Sequence, residues 1–160
     1  MKVVVPRELA AGETRVAVTP RTVKRMDRAG LVVHIESGAG TASGITDLEF
    51  REAGATIVAD RADLLSGSEI VLCVRPPDSE TIDQIPTAAV LIAVLDPMIE
   101  HAVVDQLVAR RISAFSLDMV PRIARAQSMD VLSSMSTLTG YQAVLLAAMA
   151  LPGVMPYLTT

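Results

Sequence analysis

Short apolar runs alternating with helix-like stretches constrain this 160-residue chain more than any other feature. The runs that predict strands are apolar at successive positions, and they lie at 3–5, 31–35, 56–58, 70–74, 89–95 and 112–116. Strands that are apolar on both faces are typical of a parallel sheet with helices on each side. Because strands alternate with helices, we predict an α/β fold: a Rossmann-like or flavodoxin-like parallel sheet with helices on both faces.

The helix signals lie between these runs. Thr19 is suited to cap a helix that begins at Pro20 and closes at Gly30. Shorter helical stretches are predicted at 46–54 and 60–65, and an amphipathic helix at 100–110 with four residues inward: Val103, Val104, Leu107 and Val108. A long helix rich in Ala and Leu is predicted from near Ser128 to about Met149, ended by Pro152.

Length and composition limit the class of protein. The chain has the length of a single domain over 1–160, and 51% hydrophobic residues exclude intrinsic disorder. A net charge of −4 and 2% aromatic residues argue against nucleic-acid binding. One cysteine, Cys73, and two separated histidines, His34 and His101, predict no metal site. No signal peptide is evident and no uninterrupted apolar stretch reaches about 18 residues, so we expect a cytoplasmic chain without a membrane-spanning helix.

A glycine-rich turn at 38–44 follows a predicted strand and precedes a helix, and Asp60 stands 20 residues beyond Gly40. A similar arrangement holds the pyrophosphate and ribose of dinucleotides. The spacing here is G-x-G-x-x-x-G, one residue longer than the usual NAD form. The turn is therefore open to two interpretations: a nucleotide site, or a turn that needs glycine at positive φ.

The segment 121–134 places two arginines, an amide, a carboxylate and three serines after a strand. Ligands of α/β proteins bind at the carboxyl edge of the sheet. Arginine supplies forked donors for carboxylate or phosphate, and glutamine and aspartate can hold an amide. The same residues would also suit a capped, solvated loop.

Two further arginines are candidates for binding an anion. Arg15 lies in the polar loop after the first strand, and Arg75 lies at the end of the fourth. Arg15 could equally tie its loop to a carboxylate. Cys73, inside the fourth strand, is expected to be a buried small hydrophobe.

Four segments together resemble a known family. They are Pro6-Arg-Glu, Glu13-Thr-Arg-Val-Ala-Val-Thr-Pro20, Glu36-Ser-Gly-Ala-Gly40 and Pro121-Arg-Ile-Ala-Arg-Ala-Gln-Ser-Met-Asp130. In this order they resemble the N-terminal domain shared by alanine dehydrogenases and the α subunit of proton-translocating NAD(P) transhydrogenase. The last segment, with Gly140-Tyr141 beyond it, is similar to the transhydrogenase side in particular.

The resemblance implies a role for the last segment. In transhydrogenases this loop contacts the nicotinamide of NAD(H), and the matching residues here are Arg122, Gln127, Asp130 and Ser133. They would orient the ring for direct hydride transfer to NADP on a partner component, which is catalysis by positioning. The implied partners are a Rossmann NAD-binding domain, an NADP-binding component and membrane subunits, with a homodimer and attachment to the membrane through those subunits. One neighbouring position departs from the family, with Ala124 in place of Ser.

Other departures bear on function. Alanine dehydrogenases carry a substrate lysine where this chain has Arg75, and a catalytic histidine where it has Asp96, which argues against pyruvate amination. In the family the nucleotide-binding glycine motif lies beyond the segment resembling 156–160, so we expect the NAD-binding Rossmann domain after residue 160 to be absent and the chain to be inactive alone. The alternatives are a non-enzymatic dimerisation or regulatory module, an alanine dehydrogenase-like fragment, and a small NADP-binding protein that uses the 38–44 turn.

Overall fold

The computed structural model describes residues 1–153. The chain divides into two compact units, 1–119 and 120–160, and each is described by itself. The family-like segment at 156–160 lies outside the described residues. The expectation of a single domain over 1–160 remains a prediction.

The first unit contains a six-stranded sheet in which every neighbouring pair is parallel. The strands are β1 (Lys2–Val5), β2 (Val32–Glu36), β3 (Thr56–Val58), β4 (Ile70–Leu72), β5 (Val90–Ala93) and β6 (Ser113–Ser116). Their order is β3-β2-β1-β4-β5-β6. The direction of winding reverses between β1 and β4, which makes that boundary the switch point of a doubly wound fold. The predicted α/β sheet is confirmed.

Five helices connect these strands: α1 (Pro20–Arg28), α2 (Asp47–Glu52), α3 (Arg61–Leu65), α4 (Ser79–Gln84) and α5 (His101–Ala109). The predicted start of α1 is confirmed, because the Thr19 hydroxyl accepts a hydrogen bond from the Thr22 amide and Pro20 is the first helical residue. Asp60 and Asp78 cap α3 and α4 in the same way.

Two apolar clusters cover the two faces of the sheet. Val3 and Val5 of β1 pack with Val23 of α1 and Phe50 of α2 on one face. On the other face Val4 packs in a cluster that includes residues of α3, α4 and α5: Leu64, Leu65, Ile82, Ile85 and Leu107. Apolar residues at successive strand positions are therefore all used, as a doubly covered parallel sheet requires.

One half of the sheet departs from this pattern. The register Val3–Ile70, Ile70–Val90, Ile92–Phe115 places Val90, Ile92 and Phe115 on the same face as the α1–α2 cluster. None of the three belongs to that cluster, and Phe115 is 62% exposed. We call this surface the open half-face. It leaves apolar strand residues of β5 and β6 in contact with solvent.

The second unit contains a short 3-10 segment (Ala124–Met129) and the 20-residue helix α6 (Val131–Ala150). No residue of α6 is buried, and Tyr141 is 68% exposed. By length and a mean hydropathy of 1.2 this helix could cross a membrane, which the sequence prediction did not anticipate. Three hydroxyls, those of Ser136, Thr137 and Thr139, bond to carbonyls one turn back.

Two details of the helix prediction were incomplete or wrong. The pattern gave no helix at 79–84, where α4 forms behind Asp78. Val108 was expected to face inward on α5 but is 71% exposed, whereas Leu107 is buried. The run of valines from 103 to 108 is wider than the face that α5 packs against the sheet, so its last member faces solvent.

Candidate functional site

The loops that follow β1 and β4 meet at the switch point of the sheet. The Glu8 carboxylate accepts hydrogen bonds from the backbone amides of Val74 (2.6 Å) and Arg75 (3.1 Å). Burial raises the pKa of Glu8, and these two bonds oppose that rise. One side chain therefore joins the loop after β1 to the end of β4.

Arg15 and Arg75, the two candidates for anion binding, both act on Glu13. Arg15 donates to the two carboxylate oxygens of Glu13 at 2.7 Å and 2.5 Å. These bonds lower the pKa of Glu13 to about 2, and the charge of Arg75 contributes in the same direction. Arg15 thus has a carboxylate partner within its own loop, as the structural interpretation expected. Anion binding by either arginine remains a prediction.

A network that the sequence patterns did not predict lies beside this loop. The Glu36 carboxylate, at the end of β2, accepts from the Arg7 amide and from the Arg61 guanidinium, each at 2.8 Å. Arg61 also donates to the Thr81 hydroxyl at 3.0 Å. The capping patterns Asp60-x-x-Asp63 and Asp78-x-x-Thr81 were the available signal for α3 and α4, from which Arg61 and Thr81 project.

A cavity of about 290 Å³ opens between these groups. It lies at the carboxyl ends of β1 and β4, which is where doubly wound proteins bind ligands. Glu8, Arg61, Cys73, Asp78 and Thr81 contribute to its lining. Cys73 also belongs to the apolar core, and burial raises the pKa of its thiol, which confirms the expected buried hydrophobe.

The turn at 38–44 is not arranged as a phosphate cradle. The Gly38 amide donates to the Asp47 carboxylate at 2.9 Å, so an internal anion occupies this position. A Cβ on Gly40 would lie 2.7 Å from the Ile45 carbonyl oxygen, so glycine is needed there for packing. Asp60, the residue placed like a ribose ligand, accepts from the Asp63 amide as the cap of α3. The structural interpretation of this turn fits the geometry.

The nicotinamide-loop residues lie in the second unit. Asp130 caps α6: its carboxylate accepts from the Ser133 amide at 2.9 Å and from the Ser133 hydroxyl at 2.6 Å. These bonds and the nearby charge of Arg122 lower the pKa of Asp130, which keeps it ionised. Arg122 and Gln127 are exposed, and within residues 1–153 their side chains make no hydrogen bond. Their donors and the Gln127 amide oxygen are the groups that a carboxamide such as that of nicotinamide can pair with.

Among residues 1–153, no three side chains of the types His, Cys, Asp or Glu lie close enough together to hold a metal ion.

Comparison with known proteins places these residues in a family. The sequence description of "Alanine dehydrogenase/PNT, N-terminal domain" matches residues 4–139, and the chain belongs to this family. It is 39% identical over its whole length to the first of the parts that make up NAD(P) transhydrogenase subunit alpha of Rhodospirillum rubrum, and it spans 43% of that protein. It is 31% identical over 148 residues to alanine dehydrogenase of Methanococcus maripaludis, of which it spans 39%.

A solved structure agrees with this assignment. The chain superposes on the transhydrogenase of Sinorhizobium meliloti with a TM-score of 0.93 and 36% identity, covering all of this chain and 48% of that one. The chain therefore spans less than half the length of each of these relatives. The resemblance noted in the sequence is confirmed at the level of the family and of its transhydrogenase members.

Proposed function

We propose that this chain is the N-terminal part of an NAD(P) transhydrogenase α subunit. The observation that carries the proposal is the loop 122–133: Asp130 and Ser133 are fixed to each other, while the side chains of Arg122 and Gln127 are left free to pair with a ligand. NAD(H), when bound, supplies the hydride, and NADP on a partner component receives it. The role of this chain is to hold the nicotinamide carboxamide in one orientation.

The geometry gives each residue of the loop a part in this role. Ser133 and Asp130 fix the start of α6 and the position of the loop. Gln127 can accept and donate at an amide, and Arg122 supplies a forked donor beside it. Positioning of this kind contributes to rate because a misplacement of about 1 Å can cost on the order of 100-fold.

The remaining elements of the proposal concern partners. The portion of each relative that this chain does not span is expected to contain the Rossmann domain that binds the adenine, ribose and pyrophosphate. The chain is then inactive by itself and acts in a complex with an NADP-binding component and membrane subunits, as a homodimer at the cytoplasmic side. Proton translocation belongs to that complex.

The first test is a calorimetric titration of the 160-residue chain with NADH. We expect no heat up to about millimolar NADH, which corresponds to a binding free energy weaker than about −4 kcal/mol. Micromolar binding would contradict the assignment of the missing affinity to another domain.

The second test joins the chain to the C-terminal remainder of the Rhodospirillum rubrum relative and measures hydride transfer to an NADP analogue. We expect Gln127→Leu and Arg122→Gln to lower kcat on the order of 100-fold without loss of folding. Arg125→Gln is the matched control, because Arg125 is an exposed arginine of the same 3-10 segment outside the proposed set. Equal losses in Arg122→Gln and Arg125→Gln would contradict the assigned roles.

A non-enzymatic dimerisation module is the second candidate, and the open half-face and the exposed helix α6 favour it. An alanine dehydrogenase-like activity is disfavoured, because Asp96 occupies the position of the family's catalytic histidine. Static light scattering separates the first of these from a monomer, and pyruvate-dependent NADH oxidation by the joined protein would revive the second.

A further inference from the structure

A purely cationic surface runs along helix α1. Its four residues, Arg21, Lys24, Arg25 and Arg28, are spaced so that they share one side of the helix, and all four are exposed. Val23 and Met26, on the other side, face the sheet. We call these four residues the basic stripe. It is a local positive patch on a chain whose net charge is −4.

The charges of the basic stripe are not neutralised within residues 1–153. The ion pairs of that stretch of the chain are Met1–Glu69, Arg15–Glu13 and Arg61–Glu36, and no stripe side chain takes part in them. Like charges three and four residues apart weaken a helix. The stripe therefore adds nothing to the fold through internal salt bridges.

The helix dipole explains only half of the stripe. Arg25 and Arg28 lie in the last turn, where a cation is favourable. Arg21 lies in the first turn, where a cation is unfavourable, and that turn contains no acidic residue. The charge at the start of α1 is thus opposite to what helix stability selects, which indicates a role outside the helix.

We propose that the basic stripe docks α1 onto an anionic phospholipid surface. Protein–protein interfaces centre on aromatic or aliphatic anchors, and the exposed side of α1 has no large apolar side chain. Attraction to anionic headgroups needs only positive charge, and clusters of four or more Lys or Arg on a helix are sufficient. Arginine forks also match phosphate oxygens. The proposal is independent of the nucleotide chemistry proposed above.

The test measures binding of the 160-residue chain to vesicles of phosphatidylglycerol in phosphatidylcholine, compared with phosphatidylcholine alone. The neutral vesicles report any apolar attachment through α6. We expect the excess binding to anionic vesicles to fall about 25-fold in Arg21→Gln/Arg25→Gln, at roughly five-fold per cation. Arg51→Gln/Arg111→Gln removes the same charge from two exposed arginines outside α1, and a loss of about two-fold or less is expected.

Two further measurements complete the design. Arg21→Lys/Arg25→Lys keeps the charge and should retain binding, while unchanged circular dichroism shows that all variants are folded. Raising the ionic strength from about 0.1 M to about 1 M shortens the screening length from about 10 Å to about 3 Å and should abolish the excess binding.

Three outcomes would overturn the proposal. They are equal binding to neutral and anionic vesicles, equal losses in the stripe variant and its control, and displacement of the chain from vesicles by soluble polyglutamate at matched charge concentration. The last of these would make the partner an acidic protein surface.

Discussion

The Glu36 carboxylate and the Arg61 guanidinium form a two-pronged ion pair at the carboxyl edge of the sheet. One carboxylate oxygen, Oε2, lies 2.8 Å from Nη2 and 3.1 Å from Nε, and Glu36 is only 6% exposed. The pair fixes the end of β2 to the start of α3, and through Arg61 to Thr81 of α4. The walls of the switch-point cavity depend on this one contact.

Replacing Glu36 by Gln should destabilise the chain, because the guanidinium of Arg61 would then be left half-buried without a counter-charge. Breaking a buried pair in this way costs about 3 kcal/mol. Urea unfolding measures the change. The control is Glu52→Gln on the exposed side of α2, which should stay within about 0.5 kcal/mol of the parent. Equal midpoints for both variants would show that the pair contributes nothing.

Glu13 and Glu8 should titrate on opposite sides of an ordinary glutamate. Arg15 lowers the pKa of Glu13 to about 2, and burial raises the pKa of Glu8. For Glu13 the unfolded chain binds the proton more readily, so its contribution to stability is complete above the ordinary pKa and is lost as the pH falls toward about 2. For Glu8 the folded chain binds the proton more readily, so stability falls as the pH rises above the ordinary value.

Nuclear magnetic resonance of the side-chain carboxyl carbons measures both pKa values directly. Glu13→Gln should flatten the loss of stability in acid, and Glu8→Gln should not. An ordinary pKa at Glu13 would mean that its bonds to Arg15 do not persist in solution.

Gly40→Ala should destabilise the first unit by about 1–3 kcal/mol, the range for overpacking a filled site. The new Cβ would lie 2.7 Å from both the Ile45 carbonyl oxygen and the Phe50 ring. Gly140→Ala is the counterpart in α6, where a Cβ would meet nothing within 4 Å. It should stabilise that helix by about 0.5–1 kcal/mol. Thermal unfolding followed by circular dichroism distinguishes the two signs, and a neutral Gly40→Ala would be inconsistent with the packing described.

Asp130→Ala should weaken the start of α6 by about 1 kcal/mol, because the Ser133 amide would lose its acceptor. Asp130→Asn should cost much less, since asparagine is an equally good cap. Hydrogen exchange at the Ser133 amide is the measurement. If both variants exchange alike, the cap is not what holds this turn.

Much of the fold follows from the sequence because its signals are local. The six apolar runs and the capping residues Thr19, Thr46 and Asp60 predict strands and helix starts directly. Helix α4 has six residues and only a weak apolar pattern, so it forms where the sheet supports it. The network of Glu8, Glu36 and Arg61 joins residues 25 to 67 positions apart, and no local pattern reports such contacts. The loop 122–133 was singled out by its composition and given a role only through the family resemblance.

The open half-face gives the chain a calorimetric signature. Removing apolar surface from water on binding makes the heat-capacity change negative, and this marker holds whatever the enthalpy at one temperature. A polypeptide that covers Val90, Ile92 and Phe115 will therefore bind with an enthalpy that becomes steadily more negative on warming. A ligand that pairs only with the exposed polar side chains of 122–133 will show little such slope. The temperature dependence of a binding enthalpy can thus distinguish completion of the sheet from occupation of the loop, before either partner has been identified.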